Sequence, residues 1–372
     1  MGKLKFLSML IIVFLGLYYF YGDQFQQSGV SGVAQEIKED IQFISEHPQI
    51  HAIIDSINQE IQLLIGKVEN LEEENKPEVE KPDLTAPSSQ TFSIYNIEIG
   101  DKQSDVENQL GDPKRRSLNE YGVEWHTYHE NYQNFVMVAY DSNGNVSGMY
   151  TNQELLTSTN GLSLGSNRNA VKSVLDEPVD GIRKGFTYYQ TQNNGEYDTF
   201  LIDQNYVTVF YDLHEGDTVT AIQIVSADLE SKKDGFFGEP SDQLKEGFEY
   251  QLFDLTNAAR AVHGKQVLTW ADSVKKTARN HSEDMAVNGY FSHTNLAGES
   301  PFDRLSSDGI DYRMAGENLA AGQSSSIFAH EGLMNSLGHR ENILKNDYQS
   351  LAVGVAFADD SRPFYTENFI TP

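Results

Sequence analysis

The chain of 372 residues contains no cysteine. That removes disulfides, thiolate metal sites and cysteine nucleophiles together, and it suits either a reducing compartment or a bacterial exterior where folds manage without bridges. Basic residues are scarce as well, 27 against 55 acidic ones, for a formal charge of −28. A field of that sign repels polyanions and offers no basic groove to a phosphate backbone, which excludes nucleic acid as a partner. The long apolar run stands at the start: after Lys3 and Lys5 it extends from Phe6 to Tyr21, broken only by Ser8 and Gly16 and followed by Asp23.

Positive charge stays on the cytoplasmic side, so the remainder of the chain is expected outside the cell. No small-x-small cleavage signature closes the run, and its last residues, Tyr18, Tyr19, Phe20 and Tyr21, suit an interfacial aromatic belt. Residues 1–21 therefore read as a signal anchor, a single transmembrane helix that leaves the C-terminal domains extracellular. The alternative is a cleaved signal peptide and a secreted protein, since the run is short for a spanning helix.

The remaining length suffices for two ordinary domains plus accessory segments. Ile50, Ile54, Ile57, Ile61, Leu64, Val68 and Leu71 alternate steps of four and three, the seam of a coiled coil over about three heptads. Self-association into a homo-oligomer through residues 50–71 and a single amphipathic helix lying on the bilayer or against its own protein both fit this pattern. Glu72 to Gln90, with Pro77, Pro82 and Pro87 among its glutamates, cannot bury enough apolar surface to order itself and reads as an extended spacer. Residues 22–90 are thus a helical stalk and an acidic, proline-containing spacer.

From 91 to 230 the sequence repeats itself. Ile97-Glu-Ile-Gly100 with Val106, Leu110 and Pro113 recurs as Leu162-Ser-Leu-Gly165 with Val171, Leu175 and Pro178. An apolar strand follows each copy, Phe135 to Asp141 and Tyr206 to Asp212. Two α+β units are expected to pack as one pseudo-symmetric domain. Residues 231–242, with Gly235, Gly238 and Pro240, form a linker. From 243 to 372 helical spacing takes over, at Phe248, Leu252, Leu255, Ala258 and Ala259 and again from Trp270 to Asn288. Strands are expected to return only at Ser350 to Phe357 and Pro363 to Ile370. The fold class expected for the whole is α+β, with a C-terminal α/β/α sandwich.

Four motifs carry the chemistry: Phe291-Ser-His-Thr294, Gly316-Glu-Asn-Leu-Ala320, Met334-Asn-Ser-Leu-Gly-His-Arg-Glu-Asn-Ile-Leu344, and Val353-Gly-Val355 with Tyr365-Thr-Glu-Asn-Phe369. Over about residues 245 to 370 these resemble the CAP family, named for cysteine-rich secretory proteins, antigen 5 and plant pathogenesis-related proteins, in its bacterial branch. The 91–230 region resembles the domain found N-terminal to that family in Gram-positive bacteria, which implies a binding or positioning role. The resemblance implies a shallow cleft with two histidines, here His293 and His339, that can hold a divalent metal, usually zinc. It places the first acidic group at Glu317 and the second at Ser336. Leu333 stands where an aromatic is usual, which weakens one wall of the cleft.

The residues support this chemistry on their own terms. Two imidazoles leave a zinc ion with open positions for water or substrate. A carboxylate such as Glu317 could orient an imidazole or take a proton from bound water, and Ser336 becomes a nucleophile only if His339 activates it. His330-Glu331 begins like a zincin helix, but Met334 stands at the second ligand position. His281 reads as a packed or capping histidine. The leading expectation is a surface-anchored module that binds a cell-wall, peptide or lipid ligand without turnover. Two alternatives stay open: a metal-dependent peptidase or esterase with Glu317 as base, and a structural or signalling assembly through the stalk.

Overall fold

Strand β4 (Gln133–Tyr140) shows why the first half of the molecule folds as it does. Its run Phe135 to Tyr140 is apolar without alternation, the pattern of a strand covered on both faces. In the computed structural model, which describes residues 79–184, 187–190 and 194–372, both faces are indeed covered. The signal anchor expected at 1–21 and the seam at 50–71 lie outside the described residues. Among the described residues no helix is long and apolar enough to cross a membrane.

The first half runs β1 (Phe92–Ile94), α1 (Gln103–Leu110), β2 (Arg115–Leu118), β3 (Glu124–Glu130), β4, β5 (Val146–Thr151), β6 (Leu156–Ser158) and α2 (Arg168–Val174). It continues with β7 (Gly181–Lys184), β8 (Thr187–Gln190), β9 (Tyr197–Ile202), β10 (Asn205–Asp212), β11 (Thr218–Ser226) and α3 (Ala227–Lys232). Seven strands form one antiparallel sheet in the order β2-β3-β4-β5-β11-β10-β9. Val136 and Val138 face a core with Val106 of α1 and Val171 of α2. Phe135, Met137 and Ala139 point the other way, into a cluster with Leu255, Ala258 and Ile327 from the second half. The end of the expected spacer is pinned rather than free. The backbone N–H groups of Ser88, Ser89 and Gln90 donate to the Glu98 carboxylate at 2.7, 2.8 and 2.6 Å.

The second half comprises α4 (Asp242–Val262), β12 (Thr269–Trp270), α5 (Asp272–Asn288), α6 (Pro301–Ser307), β13 (Met314–Ala321), α7 (Ser326–Asn335), α8 (Leu337–Ile343), β14 (Ser350–Phe357) and β15 (Pro363–Thr371). The sheet order is β12-β14-β15-β13. Val353 and Val355 of β14 pack with Phe248 and Leu252 of α4, whereas Ala352 packs with Val274 of α5, so a helix covers each face. Gly354 lies between the two valines because a side chain there would collide with the α5 backbone at Ala278 and Arg279. One expectation needs correction. Strands do not return only at 350: Met314–Ala321 is a full strand, antiparallel to β15 with Glu317 opposite Asn368. Its Gly, Glu, Asn and Ala residues have little strand propensity, and pairing with β15 overrides that preference.

The two halves meet along α4. Its Phe248 and Leu252 belong to the second core, while Leu255 and Ala258 belong to the cluster beneath the first sheet. On that second side Gln251 donates to the Leu118 carbonyl at 2.8 Å, and Asp254 takes Arg115 at 2.8 Å and the Tyr132 hydroxyl at 3.0 Å. Gly247 allows the approach, because a side chain there would run into the Leu118 carbonyl. Residues 79–372 accordingly form one compact unit.

Candidate functional site

His293 sits in the loop after α5, Glu317 in the middle of β13, and Ser336 and His339 at the corner where α7 meets α8. The His293 side chain is about half exposed and Glu317 is buried. Nδ1 of His293 lies 2.9 Å from Oε1 of Glu317. The other oxygen, Oε2, accepts from Arg304 Nη2 at 2.6 Å and from Asn368 Nδ2 at 3.1 Å. A carboxylate only accepts, so His293 carries its proton on Nδ1 in this contact and turns Nε2 over to whatever enters the site.

The second half of the site repeats the device with weaker chemistry. Nδ1 of His339 lies 2.8 Å from the Ser336 hydroxyl, again leaving Nε2 as the nitrogen available to a ligand. Burial and then the neighbouring His293 hold the His339 imidazole below its ordinary value, so the ring is neutral at physiological pH. The two halves are stitched together through β13. Asn318 donates to the His339 carbonyl at 3.2 Å, and Asn342 of α8 donates to the Glu317 carbonyl at 3.3 Å. Gly316 gives Tyr348 the room to pack against this strand.

The motifs alone do not reveal Arg304. It lies midway along a short helix started by a capping box, Ser300 with Asp303, and by Pro301. From there its guanidinium also donates to the carbonyls of His293 and Glu299 at 2.8 and 3.0 Å, fixing the loop that carries His293. Asn368 lies within the last motif, where its neighbour Glu367 points away to Thr256 and Asn318 at 2.8 and 3.0 Å. His281 is packed: buried, with Nε2 3.0 Å from the Ser292 carbonyl and its imidazole held low by burial. His330 and Glu331 are buried away from the site, with Glu331 accepting from Tyr150 of the first sheet at 2.6 Å. Arg340 turns to Asp212 and Glu215, at 2.8 and 3.1 Å.

Among the described residues no group of three or more His, Cys, Asp or Glu side chains is disposed to hold a metal ion. With the oxygens of Glu317 taken up by His293, Arg304 and Asn368, the imidazoles of His293 and His339 are the nitrogens left to a zinc ion, and water or a ligand would have to complete its shell. Ser336 and His339 also border a cavity of about 750 Å³ that reaches across to the first sheet, with Leu333 in its wall.

Comparison with known proteins bears on the two domains that carry these residues. Residues 99–236 match the CAP-associated N-terminal domain and residues 253–369 match the cysteine-rich secretory protein family. The Bacillus subtilis (strain 168) protein named "Uncharacterized membrane protein YlbC" is 28% identical over 290 residues, 73% of this chain and 82% of its own. A second protein of that strain, named YkwD, is 38% identical over 123 residues, 33% of this chain and 47% of its own. A crystal structure of an extracellular protein containing a SCP domain from Bacillus anthracis superposes with a TM-score of 0.64 at 26% identity, covering 80% of this chain and 100% of that one. A cysteine-rich secretory protein from Staphylococcus aureus shares the fold, with a TM-score of 0.60 at 13% identity over 78% of this chain and 100% of that one.

Proposed function

We propose, from the premise that this is a CAP-family protein with a CAP-associated N-terminal domain, that it is a membrane-tethered extracellular module that binds a cell-surface ligand in the His293–Glu317–His339–Ser336 cleft. The apolar run at 6–21 supports the tether. So do the names of two relatives, one called a membrane protein and the other an extracellular protein. The observation that carries the binding reading is the state of Glu317. Its oxygens are engaged by an imidazole, a guanidinium and an amide, which leaves little lone-pair capacity for taking a proton from water. The two Nε2 atoms, by contrast, remain for a ligand, or for a divalent ion bridging to one.

Purified full-length chain in detergent, sedimented with isolated cell-wall sacculi, tests this. Binding is expected to weaken about tenfold in His293→Ala, a loss near 1.4 kcal/mol, with no soluble fragments released. Fragment release that stops in Glu317→Gln would overturn the reading in favour of the metallohydrolase.

A further inference from the structure

The cavity of about 750 Å³ that opens beside Ser336 and His339 has the size of a site for a sizeable ligand rather than a packing defect. One wall comes from the second half, through β13, the loop after it and α7. The opposite wall is the face of the first sheet at β9, β10 and β11, with the β7–β8 hairpin at its margin. The two halves that touch closely along α4 therefore separate here and enclose a space to which both contribute.

The sheet wall is polar where a packed interface would be apolar. Gln223 of β11 is 98% buried by its 2% exposure, and its Nε2 has no hydrogen-bond partner within the protein. A buried amide donor without an acceptor costs stability, so something in the cavity should supply one. Beside it across the ladder, the hydroxyls of Thr199 and Thr208 lie 3.0 Å apart, both buried and both lining the same space. Aromatic rings flank these groups: Tyr206 on the sheet, Tyr188 on the hairpin, and Tyr189 stacked on Phe236 with centroids 6.0 Å apart.

Charge narrows the ligand class. Lys184 and Lys233, the lysines of the lining, both reach Glu230, at 2.8 and 3.4 Å, so no unpaired ammonium is offered to a phosphate or carboxylate. A lipid tail would leave the Gln223 Nε2 donor without an acceptor. Strand addition by a peptide is not available either, because the wall is the face of a sheet whose backbone groups are already paired. Flat aromatic faces alternating with amide and hydroxyl groups suit a chain that has apolar ring faces and a rim of hydroxyl and carbonyl oxygens.

We propose that this inter-domain cavity is a subsite for an uncharged, N-acetylated glycan chain, running from Gln223, Thr199 and Thr208 toward Ser336 and His339. It rests on reading the cleft as a binding site and extends it into the first domain. A carbonyl of the acetamido group would accept from Gln223 Nε2, and the tyrosine rings would cover sugar faces.

The test is titration calorimetry of the full chain in detergent with N-acetylglucosamine tetramer, against glucose tetramer and an uncharged tetrapeptide. Binding of the acetylated tetramer alone is expected, weakened about tenfold in Thr208→Val and in Tyr188→Ala, the second at an exposed position where folding is not at stake. No heat with the tetramer, while sacculi still bind in a His293-dependent way, would overturn the subsite and leave the cleft reading intact. Tetramer binding that neither variant affects, or a preference for the peptide, would also overturn it.

Discussion

A carboxylate as buried as Glu317 must find compensating partners or surrender its charge, and it finds Arg304, itself 8% exposed, at 2.6 Å. Removing one member of such a pair strands the other. Arg304→Met is therefore expected to cost about 3 kcal/mol, near the lower end for a broken buried pair, and to release the His293 loop that the guanidinium also ties down. Arg304→Met combined with Glu317→Leu should be less destabilised than the single variant, since no charge is then left without a partner. Denaturant unfolding of both variants checks this, and a single variant as stable as the wild type would contradict it. The family resemblance that the motifs carry was enough to nominate His293, Glu317, Ser336 and His339, and the structure pairs them as His293 with Glu317 and Ser336 with His339. Arg304 escaped because nothing local marks it: its role exists only once α6 has been placed against β13.

Among elements, the corner between α7 and α8 matters most, because it carries Ser336 and His339 and is held from outside its own domain. Asn335 accepts from the Leu213 N–H and donates to the Tyr211 carbonyl, both at 2.9 Å, and Arg340 pairs with Asp212 and Glu215 on the same turn. The first domain thus positions one half of the site. In Asn335→Ala two hydrogen bonds are lost, about 1–3 kcal/mol in all, and the corner should loosen. The His339 imidazole, held low by burial and by His293, is then expected to titrate closer to its ordinary value, which an NMR pH titration of its ring protons reads directly. An unchanged titration would mean that the turn does not position the ring. The same scale shows what pattern reading can and cannot reach. The apolar runs of β4 and β10 are legible because burial on both faces leaves no polar alternation to confuse them. β13 is not, since its pairing partner lies about fifty residues away at β15 and supplies what its own propensities lack. Nor is the second buried face of α4, whose Gln251 and Asp254 look like surface residues until Leu118 and Arg115 are brought against them.

At the scale of the whole molecule, joining two domains along α4 and α7 has buried ionisable groups whose partners are few, and this gives stability a distinctive pH dependence. Burial pushes Glu331, at the interface with Tyr150, up to about 7, and it does the same to Glu120 and, inside the second domain, to Glu367. A carboxyl raised in this way binds a proton on folding. Its contribution to stability is complete below the unfolded value of about 4.3 and is lost as pH rises through about 7, with a limiting slope of about 1.4 kcal/mol per pH unit for each group. Histidines act in the opposite sense over part of the same window. Burial drives His330 down to about 3 and His129 to about 4, so the folded chain refuses protons that the unfolded chain takes up below about 6.5, and stability falls as pH drops. The two slopes oppose each other between about pH 4.5 and 6.5, and a stability curve of the wild type alone would show only their difference there. Glu331→Gln separates them, because an amide mimics the protonated acid and still accepts from the Tyr150 hydroxyl. The variant should melt close to the wild type near pH 4.5 and progressively higher relative to it up to pH 8, by about 2–4 °C for each kcal/mol recovered. Melting curves of the two proteins that stay parallel across this range would show that Glu331 is ionised in the fold despite its burial.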